Sequence, residues 1–419
     1  MRFELNRPLK AFIVLVLSAM LYPCLTAAQD FSDLFGDENH VHPFITLDTS
    51  WSDNIYETSG HTTSDMVFYT RPGIWLALPG ADRQIVTVET ANASPGGLTL
   101  SRFSDNDTVR YQTYLLYSPE LETYARQTKH NDINHKFEAY ALYNTPGGLS
   151  VEIFDQVVSS HDDIIEHQDN LNYTNNFLSP TVSFAPTEKL TFRLDYSMYN
   201  VNYERSANVK DRVDNTVSAY AFFQVLPKTS LFFQYAHLDI NYDNTTDPRK
   251  SIDSTEQEYL LGVKWDITDK TTGSFKAGYQ KKDFDGSDYG DTTSMKMELK
   301  ANYTISGHSS ISLTGRNEFI ETDEDDAFYI QSNNFLAVYE HSLSARLTGF
   351  FSFFYNNEDY GSLSREDRTL AFSPSLSYIY NDWLSFNAAY TFESVQSSGT
   401  MAGDDYSKNT VLLSASMTM

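Results

Sequence analysis

The sequence predicts an all-β protein: a transmembrane antiparallel up-and-down β-barrel of about 18 strands, within bounds of 16–20. Three observations predict this fold. Segments of alternating polar and apolar residues recur along the whole chain, short turns and long acidic loops join them in turn, and no helical pattern covers their apolar faces. Because lipid offers no hydrogen bonds to the backbone, strands cross a membrane only as a closed barrel, and this repeat therefore favours one.

The clearest repeat unit is the predicted hairpin over residues 294–319, whose first arm reads SMKMELKANYTI. Successive side chains of a strand point to opposite faces. One face is fully apolar: Met295, Met297, Leu299, Ala301, Tyr303 and Ile305. The other face is fully polar: Ser294, Lys296, Glu298, Lys300, Asn302 and Thr304. The apolar face is predicted to contact lipid and the polar face to line the lumen.

Composition agrees with a barrel and argues against a bundle of membrane helices. The chain has 419 residues, of which 41% are hydrophobic, and its mean hydropathy is −0.42. Aromatic residues make up 14% of the chain, with 28 Tyr and 28 Phe. Membrane barrels place aromatic residues in girdles at both lipid–water interfaces, which gives this excess a physical reason.

The N-terminus predicts secretion. Arg2, Arg7 and Lys10 precede the apolar run AFIVLVLSAMLY, and the small residues of LTAA follow, so residues 1–28 read as a signal peptide. Its removal would take the only cysteine, Cys24, and shift the net charge from −26 to −28, because residues 1–28 carry three basic side chains and one acidic one. Nucleic acid is therefore excluded as a partner. Residues 29–43 are interpreted as a periplasmic segment and residues 44–419 as the barrel.

Each element of the barrel is predicted from alternation bounded by turn residues. The predicted strands are Phe44–Tyr56, Met66–Leu78, Val109–Tyr124, Asn134–Tyr143, Leu149–Ser160, Tyr173–Phe184, Leu190–Tyr203, Asn215–Leu226, Ser230–Tyr242, Glu256–Ile267, Gly273–Phe284, Thr293–Ile305, Ser310–Thr322, Ala327–His341, Leu343–Tyr355, Thr369–Tyr380, Trp383–Val395 and Ser407–Met419. Pro79–Thr108 is irregular, and the alternatives for it are a hairpin, a lumen plug or a periplasmic loop.

The connections predict which end of the barrel faces which compartment. One set is tight and includes NTPGG, APTEK, PKTS, TDKTT and SGHSS, whereas the alternate set is long and acidic and includes SSHDDIIEHQDN, DFDGSDYGD and NNEDYGSLSRED. Gly, Pro, Asn and Asp suit short turns. Outer-membrane barrels have short periplasmic turns and long extracellular loops, so both termini of the chain are assigned to the periplasmic side.

Alternation also predicts the residues that line the lumen. They are Lys136, Glu138, Arg193, Asp195, Lys264, Asp266, Lys276, Lys296, Glu298, Lys300, Arg316, Glu318 and Arg346. These charges either form cross-strand networks that hold the wall, which is the favoured interpretation, or leave a basic excess that guides an anionic solute. Three residues break the pattern. Gln234 alternates with the apolar residues of its strand, while Phe350 and Phe354 alternate with the polar residues of theirs.

The sequence supplies no catalytic motif. It contains no G-x-S-x-G, Walker loop, H-E-x-x-H or dinucleotide fingerprint, so the chain is not predicted to be an enzyme and no catalytic residue is assigned. The acidic loops lack EF-hand spacing, and the pairs His40 with His42 and His161 with His167 lack a regular frame of further ligands. We therefore predict no metal and no cofactor.

Three predicted strands share a proline motif: TRPGIWL at Thr70, LSPTVSF at Leu178 and FSPSLSY at Phe372. With these motifs, the signal peptide and a first strand of the form FITLDTSWSDNIY, the chain resembles the outer-membrane β-barrel porin 2 family of Gram-negative bacteria. The resemblance implies a channel that takes part in exopolysaccharide export, with polysaccharide and periplasmic export components as partners beside outer-membrane lipid and the barrel-assembly machinery. The alternatives are a general diffusion porin for small solutes and a non-conducting structural or adhesive barrel.

Overall fold

The chain folds into a closed antiparallel β-barrel. The computed structural model describes residues 40–79, 90–93, 97–100, 110–161, 170–204, 211–243, 251–268, 270–286, 290–322, 327–361 and 363–418. Eighteen strands form one sheet, in which the first strand pairs with the second on one side and with the last on the other. The sheet thus has no free edge, and the predicted fold class is confirmed.

The strands follow one another around the barrel in chain order, apart from one separate hairpin. They are β1 (Val41–Ser52), β2 (Asp65–Leu78), β3 (Thr90–Ala93), β4 (Gly97–Leu100), β5 (Tyr111–Tyr124), β6 (Asp132–Asn144), β7 (Leu149–His161), β8 (Asn172–Thr187), β9 (Leu190–Tyr203), β10 (Arg212–Leu226), β11 (Thr229–Tyr242), β12 (Ser254–Thr268), β13 (Thr271–Phe284), β14 (Thr292–Ser306), β15 (Ser309–Ile320), β16 (Ile330–Ser342), β17 (Leu347–Tyr360), β18 (Arg365–Asn381), β19 (Leu384–Gly399) and β20 (Tyr406–Thr418). A 3-10 turn, Thr128–His130, lies between β5 and β6.

The connections alternate in length as the sequence predicts. Two residues separate β8 from β9, β10 from β11, β12 from β13, β14 from β15 and β18 from β19. At the other end of the barrel, 12 residues separate β1 from β2 and 11 separate β11 from β12. We refer to the two ends as the turn end and the loop end. The long connection between β2 and β5 is the exception, because it leaves from the turn end.

The two faces of the wall differ in the way that alternation predicts. On β14, Met295 keeps 62% of its surface exposed, while its neighbour Lys296 is buried. On β12, Leu261 is 69% exposed, while Leu260 is fully buried. Large apolar side chains therefore point outward, where lipid would cover them, and the opposite face is enclosed.

Part of the aromatic excess lies inside the barrel. Buried side chains of β2, β5, β6, β7, β8 and β9 form one apolar cluster, in which Phe154 and Phe177 have no exposed surface. Trp75 and Tyr114 belong to the same cluster. The sequence assigned the aromatic excess to interfacial girdles alone, and this assignment misses the interior rings, which share the polar parity of their strands.

Strand boundaries depart from prediction where a side chain closes a turn. Ser344 Oγ accepts hydrogen bonds from the N–H groups of Arg346 (3.2 Å) and Leu347 (3.1 Å), so residues 343–346 form a turn and β17 begins at Leu347. Arg346 is consequently exposed at the turn end. Its assignment to the lumen wall rested on a strand beginning at Leu343, and that strand boundary is wrong.

The stretch 79–108 contains a short hairpin, β3 with β4, which forms a sheet of its own. Residues 80–89, 94–96 and 101–109 lie outside the described residues, as do residues 1–39 with the predicted signal peptide. The barrel begins at Val41, three residues before the predicted boundary at Phe44. Within the described part of the chain, no helix is long and apolar enough to cross a membrane.

Candidate functional site

Two contacts identify the face that looks into the barrel. Glu321, the residue after β15, accepts a hydrogen bond from the Tyr242 hydroxyl of β11 at 2.5 Å and one from Lys282 Nζ of β13 at 2.5 Å. Three strands separate β11 from β15 in the sheet. Only a path through the interior joins strands so far apart, so these side chains lie inside. Directly paired residues share a face, and the strand register extends this assignment around the wall.

Arg212, Tyr242, Glu256, Lys282 and Glu321 form a charged cluster at the loop end, which we call the mouth cluster. Lys282 Nζ also donates to Glu256 Oε1 at 2.8 Å, and its side chain has no exposed surface. The Arg212 guanidinium contacts the ring of Tyr242, with 5.8 Å between Cζ and the ring centroid. Burying an unpaired charge costs several kcal/mol, so every ion of this cluster depends on its partners.

Glu321 lies beyond the end of β15, and its ionisation reflects two opposing effects. Burial raises the pKa of the carboxyl group, whereas the positive charges of Lys282 and Arg212 lower it. Hydrogen bonds from Lys282 and Tyr242 act in the same direction as the charges. The pKa of Glu321 therefore lies below its ordinary value, and the group is a stable anion at neutral pH.

A second set of ion pairs, nearer the turn end than the mouth cluster, connects β12 to β15. Lys296 Nζ lies 2.7 Å from Glu258 Oε1 and 3.4 Å from Glu318 Oε2. Lys276 Nζ lies 3.1 Å from Glu298 Oε2. The structure thus brings together four residues that the sequence assigned to the lumen, and it adds Glu258. These pairs match the favoured interpretation of a cross-strand network.

The remaining predicted lumen residues are placed as follows. Arg193 Nε lies 2.6 Å from Asp195 Oδ1 on β9. Arg316 is the register partner of Glu298, and its Nε is buried. Three more share this face towards the turn end, where exposure increases: Lys264, Asp266 and Lys300. On the far wall, Lys136 Nζ lies 2.8 Å from Glu138 Oε1.

Six further charged residues of the same wall were not predicted from the sequence: Arg212, Asp214, Glu256, Glu258, Lys282 and Glu321. With them, the interior of β9–β15 carries eight basic residues (Arg193, Arg212, Lys264, Lys276, Lys282, Lys296, Lys300 and Arg316) and eight acidic ones (Asp195, Asp214, Glu256, Glu258, Asp266, Glu298, Glu318 and Glu321). The parity of β12 and β13 could have identified Glu256, Glu258 and Lys282. The basic excess that suggested an anionic solute disappears when they are included.

Gln234 belongs to this network. Leu231 and Phe233 on β11 point outward, whereas Gln234 is buried and accepts a hydrogen bond from Lys276 Nζ at 3.2 Å. From the sequence, Gln234 was predicted to interrupt the apolar, lipid-facing side of its strand, and this prediction is wrong. Both faces of β11 carry apolar residues, since Phe232 and Ala236 lie inside, so alternation alone assigns the faces of this strand poorly.

The wall formed by β16–β20 is different in chemistry. Its interior face carries mainly hydroxyl, amide and apolar side chains: Ser332, Asn334, Leu336, Val338, Phe350, Ser352, Phe354, Asn356, Ala371, Ser373, Ser375, Asn387, Thr391 and Ser414. Three acidic side chains lie on the same face, since Glu340, Glu358 and Glu393 are the register partners of Phe350, Ser332 and Ala371. Ser373 and Thr391 share a hydrogen bond of 2.9 Å between their hydroxyl oxygens. The interior thus has one wall dense in paired charges and one wall with fewer charges.

The family model described as "Putative beta-barrel porin 2" matches residues 166–419, a range that includes β8 to β20. Solved structures with similar architecture include the outer membrane protein OpdK from Pseudomonas aeruginosa (10% identity, TM-score 0.47, covering 90% of this chain and 99% of that chain). OpdL from the same organism is similar at 11% identity (TM-score 0.46, 91% and 99% coverage), and the FrpB iron transporter from Neisseria meningitidis at 8% (TM-score 0.43, 94% and 83%). No curated protein sequence matches the chain.

Proposed function

Because the chain belongs to the beta-barrel porin 2 family, we propose that it forms an outer-membrane channel through which exopolysaccharide leaves the cell. The observation that carries the channel is the closed barrel of 18 strands whose interior face bears charged, hydroxyl and amide groups. A barrel of this strand number encloses an aqueous interior. We infer that the sequence-predicted lumen residues other than Arg346 line this interior.

The charge balance of the β9–β15 wall supports a neutral or weakly charged solute. Eight basic side chains face inward on β9–β15, and eight acidic ones face inward on these strands and at Glu321 just beyond β15. Ion pairs join buried members of the two sets, as between Lys282 and Glu256 and between Lys296 and Glu258. Paired ions exert a weak field at a distance, so they neither concentrate nor repel one sign of solute strongly. A neutral polysaccharide fits this interior better than an anion does.

The proposal includes a cellular context. A signal peptide over residues 1–28 would direct secretion, the barrel-assembly machinery would insert the strands, and lipid would cover the outward apolar face. Periplasmic export components would deliver the polymer to the turn end. The long acidic loops would then lie outside the cell, at the exit.

Conductance of the full chain in planar bilayers tests the channel. Ser373 lies on the interior face of β18, and Leu376 points outward from the same strand. We expect Ser373→Trp to lower the single-channel conductance by narrowing the interior, while Leu376→Trp, which adds the same ring on the lipid side, leaves it unchanged. A barrel that inserts without conducting would instead be structural or adhesive.

Deletion of the gene tests export. We expect the deletion strain to release less extracellular polysaccharide, and the wild-type chain or Leu376→Trp to restore the release. Restoration by Ser373→Trp should be partial. Normal polysaccharide release together with lost uptake of small solutes would overturn the export role and identify a diffusion porin.

A further inference from the structure

Two adjacent strands carry an apolar strip on the inside of the barrel. The strip consists of Leu336 and Val338 on β16 with Phe350 and Phe354 on β17, where Leu336 is paired with Phe354 in the strand register. Its interior position follows from the register as well. Asn334, two residues before Leu336, is paired with Arg316 of the charged wall. Residues two apart on a strand share a face, so the strip faces the enclosed space.

The strip is open to that space. Leu336 keeps 36% of its surface exposed, and Phe350 and Phe354 are half-buried. The interior rings Phe154 and Phe177, in contrast, are completely covered. An apolar group left open inside a polar enclosure gains free energy only when something apolar covers it. The strip therefore has the character of a contact surface, whereas the covered rings serve packing.

Hydrogen-bonding groups border the strip on both sides. Ser352 lies between the two phenylalanines on β17, Ser373 is its register partner on β18, and Thr314 is the partner of Leu336 on β15. At the end nearer the loops, Ser332 Oγ donates to Asn356 Oδ1 at 3.1 Å. The surface thus combines an apolar centre with donors and acceptors at its border, the combination that ligand sites use for orientation and specificity.

A pyranose ring has the complementary surface, because its C–H groups form apolar faces and its hydroxyl groups form a polar edge. We propose that the strip formed by Leu336, Val338, Phe350 and Phe354 is a contact surface on which successive sugar rings of a neutral polysaccharide slide through the barrel. The inference rests on the proposed channel function and specifies its solute class and contact residues. Dispersion contacts with the aromatic faces supply the attraction, and the bordering hydroxyl and amide groups exchange hydrogen bonds with the sugar.

The geometry favours a polymer over a single sugar. Phe350 and Phe354 are four residues apart on one strand, which corresponds to about 13 Å at the rise of an antiparallel strand. This distance exceeds the size of one pyranose ring, so the two rings contact different units of one chain. A surface that holds several units weakly lets each unit leave as the next arrives, which suits passage better than tight binding does.

Current blockade by maltohexaose, a linear neutral oligosaccharide, tests the strip in planar bilayers. For the full chain we expect transient blockades, and for Phe350→Ser/Phe354→Ser a dwell time about tenfold shorter at unchanged ion conductance. Phe350→Tyr/Phe354→Tyr retains both rings and should retain the long dwell time. Phe351→Ser, which removes an outward-facing ring from the same strand, is the control and should leave the dwell time unchanged.

The outcomes separate the two proposals. Absence of ion conductance in the wild-type chain overturns the channel itself. Ion conductance with no blockade by maltohexaose, or with blockades that the serine variant leaves unchanged, overturns the strip and leaves the channel standing. If the serine variant fails to fold, Phe354→Trp provides a second test: maltohexaose should change the fluorescence of the new tryptophan relative to wild type, and an unchanged spectrum overturns the strip.

Discussion

Lys282 offers the sharpest test of the interior network. Its ammonium group has no exposed surface and lies 2.8 Å from Glu256 Oε1 and 2.5 Å from Glu321 Oε1. The substitution Lys282→Met keeps the length of the side chain but leaves two buried carboxylates without their common partner. Removal of one member of a buried ion pair costs about 3–5 kcal/mol. We expect a loss of this size in the free energy of unfolding.

The measurement is urea unfolding of the full chain in lipid vesicles, followed by tryptophan fluorescence, with the heat-modifiability gel as a check of folding. Lys281 is the matched control, because it is the adjacent residue, is paired with Asp283, and points outward with 37% of its side chain exposed. Lys281→Met should change stability little, since an exposed pair contributes little. The triple change Lys282→Met/Glu256→Gln/Glu321→Gln removes the uncompensated charges and should recover much of the loss.

Two results would refute this reasoning. Equal losses for Lys282→Met and Lys281→Met would mean that the two faces of β13 do not differ in environment. A triple variant no more stable than Lys282→Met would mean that the loss of stability comes from packing and not from the two carboxylates left without a partner.

Two further predictions concern the mouth cluster and the outer face. The pKa of Glu321 is lower in the folded barrel than in the unfolded chain, despite burial. The ionised carboxylate therefore adds to the free energy of unfolding. This stabilisation is fully present above the ordinary glutamate pKa of about 4.3 and is lost as the pH falls through the lower folded pKa. Stability measured by urea unfolding should therefore decline with acid in this window, and Glu321→Gln should flatten that part of the profile; an unchanged profile would contradict the assignment. On β14, Leu299→Arg places a charge on the lipid side and should destabilise the barrel by about 2–4 kcal/mol near the bilayer midplane, whereas Lys300→Leu should be much milder. Identical behaviour of the two variants in a heat-modifiability gel would show that the faces are wrongly assigned.

The alternation of polar and apolar residues was sufficient to predict the number and order of the barrel strands from the sequence. Alternation is a property of each strand alone, and a strand half covered by lipid must alternate wherever it occurs. This is why all 18 barrel strands were predicted at the right places in the chain. It also explains the failure at β11, where Phe232 and Phe233 are both apolar and the alternation that would distinguish the faces is absent.

Strand ends depended on interactions that alternation does not contain. The sequence 343–346 continues the alternating pattern, yet the hydroxyl of Ser344 bonds the backbone two and three residues ahead and makes a turn of it. For this reason Arg346 lies in the turn and not in the strand that was predicted to contain it. Likewise, Asn54 Oδ1 accepts a hydrogen bond from the N–H of Thr58 at 3.2 Å, in the loop that begins before the predicted first strand ends.

The partners of the charged residues were decided by the tertiary structure alone. Parity assigns Lys296 and Glu298 to the interior, but Lys296 pairs with Glu258 across an intervening strand, and Tyr242 reaches Glu321 past three strands. Such pairs depend on the curvature and closure of the whole sheet, because only a closed wall brings distant strands face to face across its interior. The sequence by itself therefore determined a barrel with a polar interior, whereas the closed structure decided how the charges of β9–β15 pair and that Leu336, Phe350 and Phe354 remain open.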